Sequence, residues 1–262
     1  MEDSTSITSP KNPLVRRFRD AAAGEPPEVM LVDGIKLVHE ALEAKLPILE
    51  AAVTARLFGS ELGKALRRRL EHEAPKLHEV GDAVLERISG VTTPQGVSAI
   101  FRRPAYQAQD LRGKNSLLVV AAGIKDPGNL GAMIRSAEAA GATGVLATQG
   151  GADPFRDKAL RGSAGSVFRL PTLGGQSEEQ VLAMLEGLQV VIAEGDGTLD
   201  YWKCDFKKPS AIVLGNEGHG VPEALRARAT LRVRIPMASA VESLNVAVAT
   251  GVLLFEARRQ RS

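Results

Sequence analysis

Two hydrophobic rhythms alternate along the chain, one with a period near two and one near 3.6, and their order predicts the architecture. In the first hundred or so residues, apolar runs at 29–32, 48–54, 77–80 and 96–101 read as strands. Between them, Gly34–Ala44 has Ile35, Val38 and Leu42 at near-helical spacing, and the strongly basic Ser60–His72 and Asp82–Ser89 also read as helices. Alternation of this kind makes a small α/β module. Ahead of it, the turn Ser9-Pro-Lys-Asn-Pro13 leads into a short basic helix. The stretch Arg102–Gly113 carries Pro104 and has no periodicity. It marks the boundary, giving a first domain at 1–104, a linker at 105–114 and a second domain at 115–262.

The second domain opens with Leu117-Leu-Val-Val-Ala-Ala122, an unbroken apolar run that suits a strand buried on both faces of a parallel sheet. The loop Gly123–Asn129, a helix Leu130–Ala140 stopped by Gly141, and a strand Gly144–Thr148 complete a βαβ unit. Its loop lies at the carboxyl end of a strand, where open α/β sheets bind ligands. Further strands are predicted at Gln189–Ala193, Ala211–Leu214 and Leu231–Ile235, and helices at Pro154–Arg161, Glu178–Leu188 and Pro222–Arg228. The final stretch runs from that last strand through a polar crossing at Pro236–Glu242 into an apolar helix holding Leu244, Val246, Val248, Leu253 and Phe255. A helix this hydrophobic is expected to be buried on most of its circumference. Ser243 and Asn245 at its mouth are either N-caps or parts of a site.

Composition narrows the class. Hydrophobic residues make up 44% and charged residues 24%, the balance of a soluble globular protein. No window holds about 18 unbroken apolar residues, so no membrane span is expected. Met1–Pro10 is polar, unlike a secretory leader. The single cysteine, Cys204, rules out a disulfide framework within the chain and suits a reducing cytoplasm. Net charge is only +2, yet Lys11, Arg16, Arg17 and Arg19 cluster early, Arg67, Arg68 and Arg69 form a run, and Arg258, Arg259 and Arg261 close the chain. One such run is usually a solvated face; three shift the balance toward a polyanionic partner. The four histidines are scattered and one cysteine cannot build a thiolate site, so no metal is expected. Neither a phosphate-cradling Gly-x-x-x-x-Gly-Lys-Ser/Thr loop nor a Gly-x-Ser-x-Gly elbow occurs.

Three loops of the second domain carry candidate chemistry, and each has a plain structural reading. Asn129 opens the helix after the first strand, where it could serve as an N-cap, and Arg135 six residues on could simply snorkel. Leu214-Gly-Asn-Glu-Gly-His-Gly220 is a glycine-rich loop whose Glu217 could offset the dipole of the next helix. Ser243 or Asn245 could cap the last helix.

Together, in this order and spacing, these loops resemble three signature motifs. Asn129 with Arg135, then Leu214-Gly-Asn-Glu-Gly218, then Ile235-Pro-Met237 with Ser243-Leu-Asn-Val-Ala-Val248 resemble those of the SpoU/TrmH family, the SPOUT-superfamily RNA ribose 2′-O-methyltransferases. The likeness covers roughly Leu117–Arg259. Ile7–Val15 and the Asp33-Gly34 helix resemble that family's substrate-binding domain, which is similar to a ribosomal-protein RNA-binding module.

The resemblance implies an α/β protein with a C-terminal SPOUT domain, built on a parallel sheet with a deep trefoil knot, behind a small N-terminal RNA-binding domain. S-adenosyl-L-methionine is the implied cofactor, held by Leu214, Gly215, Asn216, Gly218, Ile235, Met237, Leu244 and Gly195, with backbone groups of Gly215, Ile235 and Leu244 on the adenine. Arg135, Asn129, Glu217, Ser243 and Asn245 are the implied catalytic set. Arg135 either stabilises the developing alkoxide or acts as the base; its guanidinium chemistry favours the first. Lys11, Arg16, Arg17, Arg67 and Arg68 are the expected RNA contacts. The implied enzyme is a cytoplasmic homodimer acting on RNA, with 23S ribosomal RNA favoured and transfer RNA second. A non-catalytic RNA-binding or ribosome-assembly protein on the same fold is the alternative, and the complete motif set weighs against it. Methylation of a small molecule or a protein is disfavoured by the basic N-terminal module.

Overall fold

The computed structural model describes residues 7–9, 11–91, 93–216, 218–238 and 241–262. Two compact units emerge, one formed by Met1–Ala105 with Phe155–Leu160 and the other by Tyr106–Pro154 with Arg161–Ser262.

The first unit runs α1 (Pro13–Ala23), β1 (Val29–Asp33), α2 (Ile35–Glu43), β2 (Ile48–Val53), α3 (Glu61–Glu73), β3 (Leu77–Glu79), α4 (Asp82–Ile88) and β4 (Val97–Arg102). The strands form one sheet in the order β1-β4-β2-β3, with only the β2–β3 pair parallel. Helix α1 begins where its sequence says it should: the Asn12 side chain accepts from the Leu14 amide and Pro13 occupies the first turn. It ends at Gly24, whose φ of 70° is cheap only for glycine. Leu14, Val15 and Phe18 of α1 pack with Val84, Leu85 and Ile88 of α4 over Leu31, Ala52 and Ile100 of the sheet.

Beneath α1 lies a buried carboxylate, Glu50. It accepts from Arg17 Nε at 3.1 Å and lies 2.8 Å from His78 Nε2. Burial pushes the Glu50 carboxyl up, but Arg17 and His78 together hold it below its ordinary value.

The second unit holds β5 (Leu117–Ala122), α5 (Pro127–Ala140), β6 (Gly144–Thr148), β7 (Thr172–Gln176), α7 (Glu178–Leu185), β8 (Gln189–Ala193), β9 (Leu199–Asp200), β10 (Ser210–Gly215), α8 (Glu223–Arg226), β11 (Leu231–Arg234) and α9 (Val246–Arg261); α6 (Asp157–Ser163) precedes β7. Its sheet is parallel throughout, in the order β7-β6-β5-β10-β8-β11-β9. Every residue of β5 is buried, as its unbroken apolar run requires. Leu118, Val120 and Ala122 pack with Val181, Met184 and Leu185 of α7 and Leu225 of α8. Helices α5 and α9 pack side by side and reach β5, β6 and β10.

The expected α/β class with a parallel sheet is therefore what the chain forms. Two strands were not foreseen. β7 is glycine-rich and β9 is two residues long; both are edge strands, where an apolar run is not demanded. Helix α5 starts at Pro127 rather than Leu130, because Asp126 caps it. The larger correction concerns α9. It buries Val246, Thr250, Leu253, Leu254 and Ala257 on one face, while Val248 and Phe255 are 53% and 52% exposed. It is not enclosed around most of its circumference. Cys204 is buried, and burial raises its thiol to about 11, so it stays protonated.

Arg17→Ala should destabilise the protein at pH 7 by about 1–2 kcal/mol, because a buried carboxylate loses its charged donor. A lowered carboxyl contributes stability above its unfolded value, which for Glu is about 4.3, and loses it as pH falls through the folded value. The gap between wild type and variant in urea denaturation should therefore shrink below about pH 4. A gap that stays constant with pH would show that the ion pair is not its cause.

Candidate active site

Three parallel strands end side by side. Leu214 of β10 stands in register with Ala193 of β8, and Ala193 with Val233 of β11. Beyond β11, residues 235–237 and 241–244 line the ends of these strands before α9 begins. The space beneath is a cavity of about 570 Å³ lined by Ala193, Glu194, Gly195, Leu214, Gly215, Val233–Met237, Val241–Leu244, Val246 and Ala249. It has the size and the carboxyl-edge position of an organic-cofactor site.

Its walls are rigid. A Cβ on Gly215 would lie 2.2 Å from the backbone of Gly220, so only glycine lets the loop after β10 fold back. Asn216 and Gly220 close that loop with two backbone hydrogen bonds, of 3.2 and 2.8 Å. Glu194, its side chain only 8% exposed, pairs with Arg226 at 2.7 Å and Arg232 at 2.8 Å, tying the tip of β8 to α8 and β11. Arg234 pairs with Asp200 at 2.9 Å; Arg234 and Lys203 hold the Asp200 carboxyl below its ordinary range.

The lining has the chemistry of an adenosyl site. Leu214, Ile235, Met237, Leu244 and Val246 supply apolar walls for a flat ring. Among the described residues, the backbone amides of Ile235, Met237 and Val241–Leu244 donate no backbone hydrogen bond. Open backbone donors beside an apolar slot are what a purine edge and a ribose need. The space beside Gly195 is open, its nearest neighbour to an added Cβ being Glu242 O at 4.0 Å.

Of the expected cofactor contacts, Leu214, Gly215, Ile235, Met237, Leu244 and Gly195 line the cavity, while Asn216 and Gly218 stand outside its lining. Asn216 instead ties two loops: Nδ2 donates to Gly123 O at 3.3 Å and Oδ1 accepts from the Gly218 amide at 2.9 Å. Val233, Arg234, Pro236, Val241, Glu242, Val246 and Ala249 line the cavity without having been singled out from sequence. The rule that ligands meet strand carboxyl ends could have found Val233 and Arg234, and Pro236 and Val246 stood inside the signature motifs; nothing local marked Val241, Glu242 and Ala249.

The expected catalytic set divides. Asn245 Nδ2 donates to Asn129 Oδ1 at 3.0 Å, joining residues 116 apart in the chain. Asn245 Oδ1 also accepts from the amides of Ala247 and Val248, so Asn245 is both the cap of α9 and a partner of Asn129. Asn129 is not a cap; Asp126 Oδ1 takes that role, accepting from the Asn129 amide at 3.0 Å. Ser243 lines the cavity. Arg135 is exposed, lies outside the lining, and has no hydrogen-bond or ion-pair partner among the described residues. Glu217 lies outside the described residues.

The expected RNA contacts also divide. Arg17 is engaged with Glu50, and Arg67, only 14% exposed, pairs with Glu71 and Glu79, each at 2.8 Å. Arg16 is exposed beside Asp20, and Lys11 and Arg68 are exposed. Among the described residues there is no group of three or more His, Cys, Asp or Glu side chains placed to hold a metal ion. No helix among them is long and apolar enough to cross a membrane.

Comparison with known proteins places this geometry. The model of the SpoU rRNA Methylase family matches residues 116–255, and that of the MRM3-like substrate binding domain matches residues 15–99. The tRNA/rRNA methyltransferase slr1673 of Synechocystis is 34% identical over 99% of this chain and 95% of its own length. The 23S rRNA (uridine(2479)-2′-O)-methyltransferase of Streptomyces viridochromogenes is 31% identical over 95% of this chain and 87% of its own. The crystal structure of an AdoMet-bound rRNA methyltransferase from Sinorhizobium meliloti superposes with a TM-score of 0.84 at 32% identity, covering 97% of both chains.

The tie between the two asparagines can be measured. Asn245→Ala removes cap and tie together and should lower stability by about 2 kcal/mol; Asn129→Ala removes the tie alone and should cost about 1 kcal/mol. A double-mutant cycle by urea denaturation should then show coupling of about 0.5–1.5 kcal/mol. Zero coupling would mean that Asn245 is a cap and nothing more.

Proposed function

Because the chain belongs to the SpoU rRNA methylase family, we propose that it transfers the methyl group of S-adenosyl-L-methionine to a ribose 2′-hydroxyl of 23S ribosomal RNA. It is an RNA 2′-O-ribose methyltransferase, and its cofactor is S-adenosyl-L-methionine. The observation that carries this is the cavity lined by 235–237 and 241–244, with the open backbone donors described there, next to the Asn129–Asn245 pair. The substrate-binding match over 15–99 and the 23S rRNA named for the Streptomyces relative support the ribosomal substrate. Such a substrate places the enzyme in the cytoplasm. The reading includes the trefoil knot, with 235–247 as the last threaded segment.

When bound, the cofactor supplies an electrophilic methyl group on a sulfonium. The chain's residues bind and align. Leu214, Ile235, Met237 and Leu244 flank the adenine, backbone groups of Gly215, Ile235 and Leu244 meet its edge, and Gly195 leaves room for the ribose and methionine portions. A ribose 2′-hydroxyl is a poor nucleophile because its pKa lies far above neutrality, so it must be aligned and lose its proton as attack proceeds. The Arg135 guanidinium acts by charge, holding the 3′-phosphate or the 2′-oxygen as negative charge develops. Asn129, Glu217, Ser243 and Asn245 orient Arg135 and the ribose.

The functional unit in this reading is a homodimer. Arg135 lies outside the cavity lining of its own chain, and α9, packed beside α5, exposes Val248 and Phe255. A second copy covering that apolar stripe buries it and joins Arg135 of one copy to the cavity of the other.

Arg135→Ala should lower kcat by about 10²–10³-fold while S-adenosyl-L-methionine affinity by calorimetry stays within about twofold. Full activity in that variant would remove Arg135 from the reaction. Light scattering should give a dimer for the wild type and a monomer for Phe255→Glu; a strictly monomeric wild type would remove the dimer.

A further inference from the structure

Trp202 is the chain's one tryptophan, and it is 49% exposed. Leaving so large an apolar ring in water forgoes stabilisation that burial would bring. The segment that presents it is held at many points. Asp200, preceding the single turn Tyr201–Lys203, binds Arg234 at 2.9 Å and Lys203 at 3.0 Å. Downstream, Cys204 and Phe206 are buried, and Gln260 bonds Cys204 O and the Phe206 amide, each at 2.9 Å. Tyr201 meets the Trp202 ring edge-on, with centroids 5.1 Å apart and planes at 73°. The indole is thus braced rather than loose.

Its surroundings suit RNA. Arg234, tied to Asp200, also lines the cofactor cavity, so the platform is anchored to the wall of the site where the methyl group is held. Lys203, Lys207 and Lys208 are exposed within the next six residues, and among the described residues Lys207 has no ion-pair partner. An exposed aromatic interleaved with lysines offers a base its π-face and the backbone its counter-charge.

We propose that Trp202 is a stacking platform for an unpaired base of the RNA near the nucleotide that is methylated, with Lys207 meeting a neighbouring phosphate. This rests on the chain being an RNA methyltransferase. Stacking accepts any base face, so Trp202 would contribute affinity and register rather than base identity.

The lone tryptophan makes the test direct. Unmodified 23S rRNA fragments, made by transcription and screened for methylation by the wild-type chain, are titrated into the protein with excitation at 295 nm. The accepted fragment should quench Trp202 emission saturably. Trp202→Ala should weaken its binding by about tenfold or more and raise KM for RNA, with kcat, S-adenosyl-L-methionine affinity and melting temperature unchanged; Trp202→Phe should recover most of the loss. Methylation and RNA affinity unaffected in Trp202→Ala, without quenching in the wild type, would overturn the platform and leave the methyltransferase reading standing. So would emission that tracks protein concentration instead of RNA, which would assign the indole to a contact between copies. If no RNA fragment is bound or methylated, the methyltransferase reading fails, and the platform with it.

Discussion

The hydrogen bond from Asn245 to Asn129 sets the start of the last helix against α5. It joins the amino ends of α9 and α5, which then run side by side. Gly251 passes close to Ser136, and at the far end Arg258 Nη1 donates to Ala139 O at 2.8 Å. With α9 pinned at both ends, the chain leaving β11 must cross the carboxyl ends of β8 and β10 to reach it. Among the described residues, the amides of Ile235, Met237 and Val241–Leu244 donate no backbone hydrogen bond, and these residues line the cavity where a cofactor can use them. Fold closure and site formation are one event.

A second theme is the use of arginine as a structural tie. Arg226 and Arg232 clamp Glu194, and Arg234 holds Asp200, fixing the strand ends that form the cavity wall. Arg261 reaches the carbonyls of Asn115, Ser116, Phe206 and Lys208, anchoring the carboxyl end of α9 to loops at the other edge of the sheet. In the first unit, Arg17, Arg67 and Arg69 each bind carboxylates. The planar guanidinium suits this because it satisfies several acceptors in fixed directions. Runs of arginine therefore overstate the positive surface available to a polyanion. Lys11, Arg16, Arg17, Arg19 and Arg68 remain exposed, while Arg67 and Arg69 are the ones drawn in by their carboxylates.

Arg135 shows the opposite case, a charged side chain without a described partner in its own subunit. On α9, Val248 and Phe255 form an exposed apolar stripe. Helix α9 thus lines the cavity through Val246 and Ala249 and exposes Val248 and Phe255, which is why it is hydrophobic on both its buried and its exposed sides.

By itself the sequence determined the alternation of strands and helices and the parallel sheet implied by the apolar run of β5, both written in local periodicity, while the likeness to the family's motifs picked out the loops after β10 and β11 that line the cavity. Tertiary structure decided the rest. Asn245 is a cap by local geometry and a tie only because α5 lies beside it; no spacing rule links residues 116 apart. Asn216 looked like a cofactor contact and is a strut between loops. Arg67 looked like a surface charge until the fold brought Glu79 to it, and Arg17, still exposed, reaches down to the buried Glu50. Apolar residues on α9 looked buried, since composition reports hydrophobicity and not which face meets a neighbour. Edge strands β7 and β9 left no signal because only their neighbours make them strands. Burial and partners are properties of the assembled chain, and they are what separates a cap from a site.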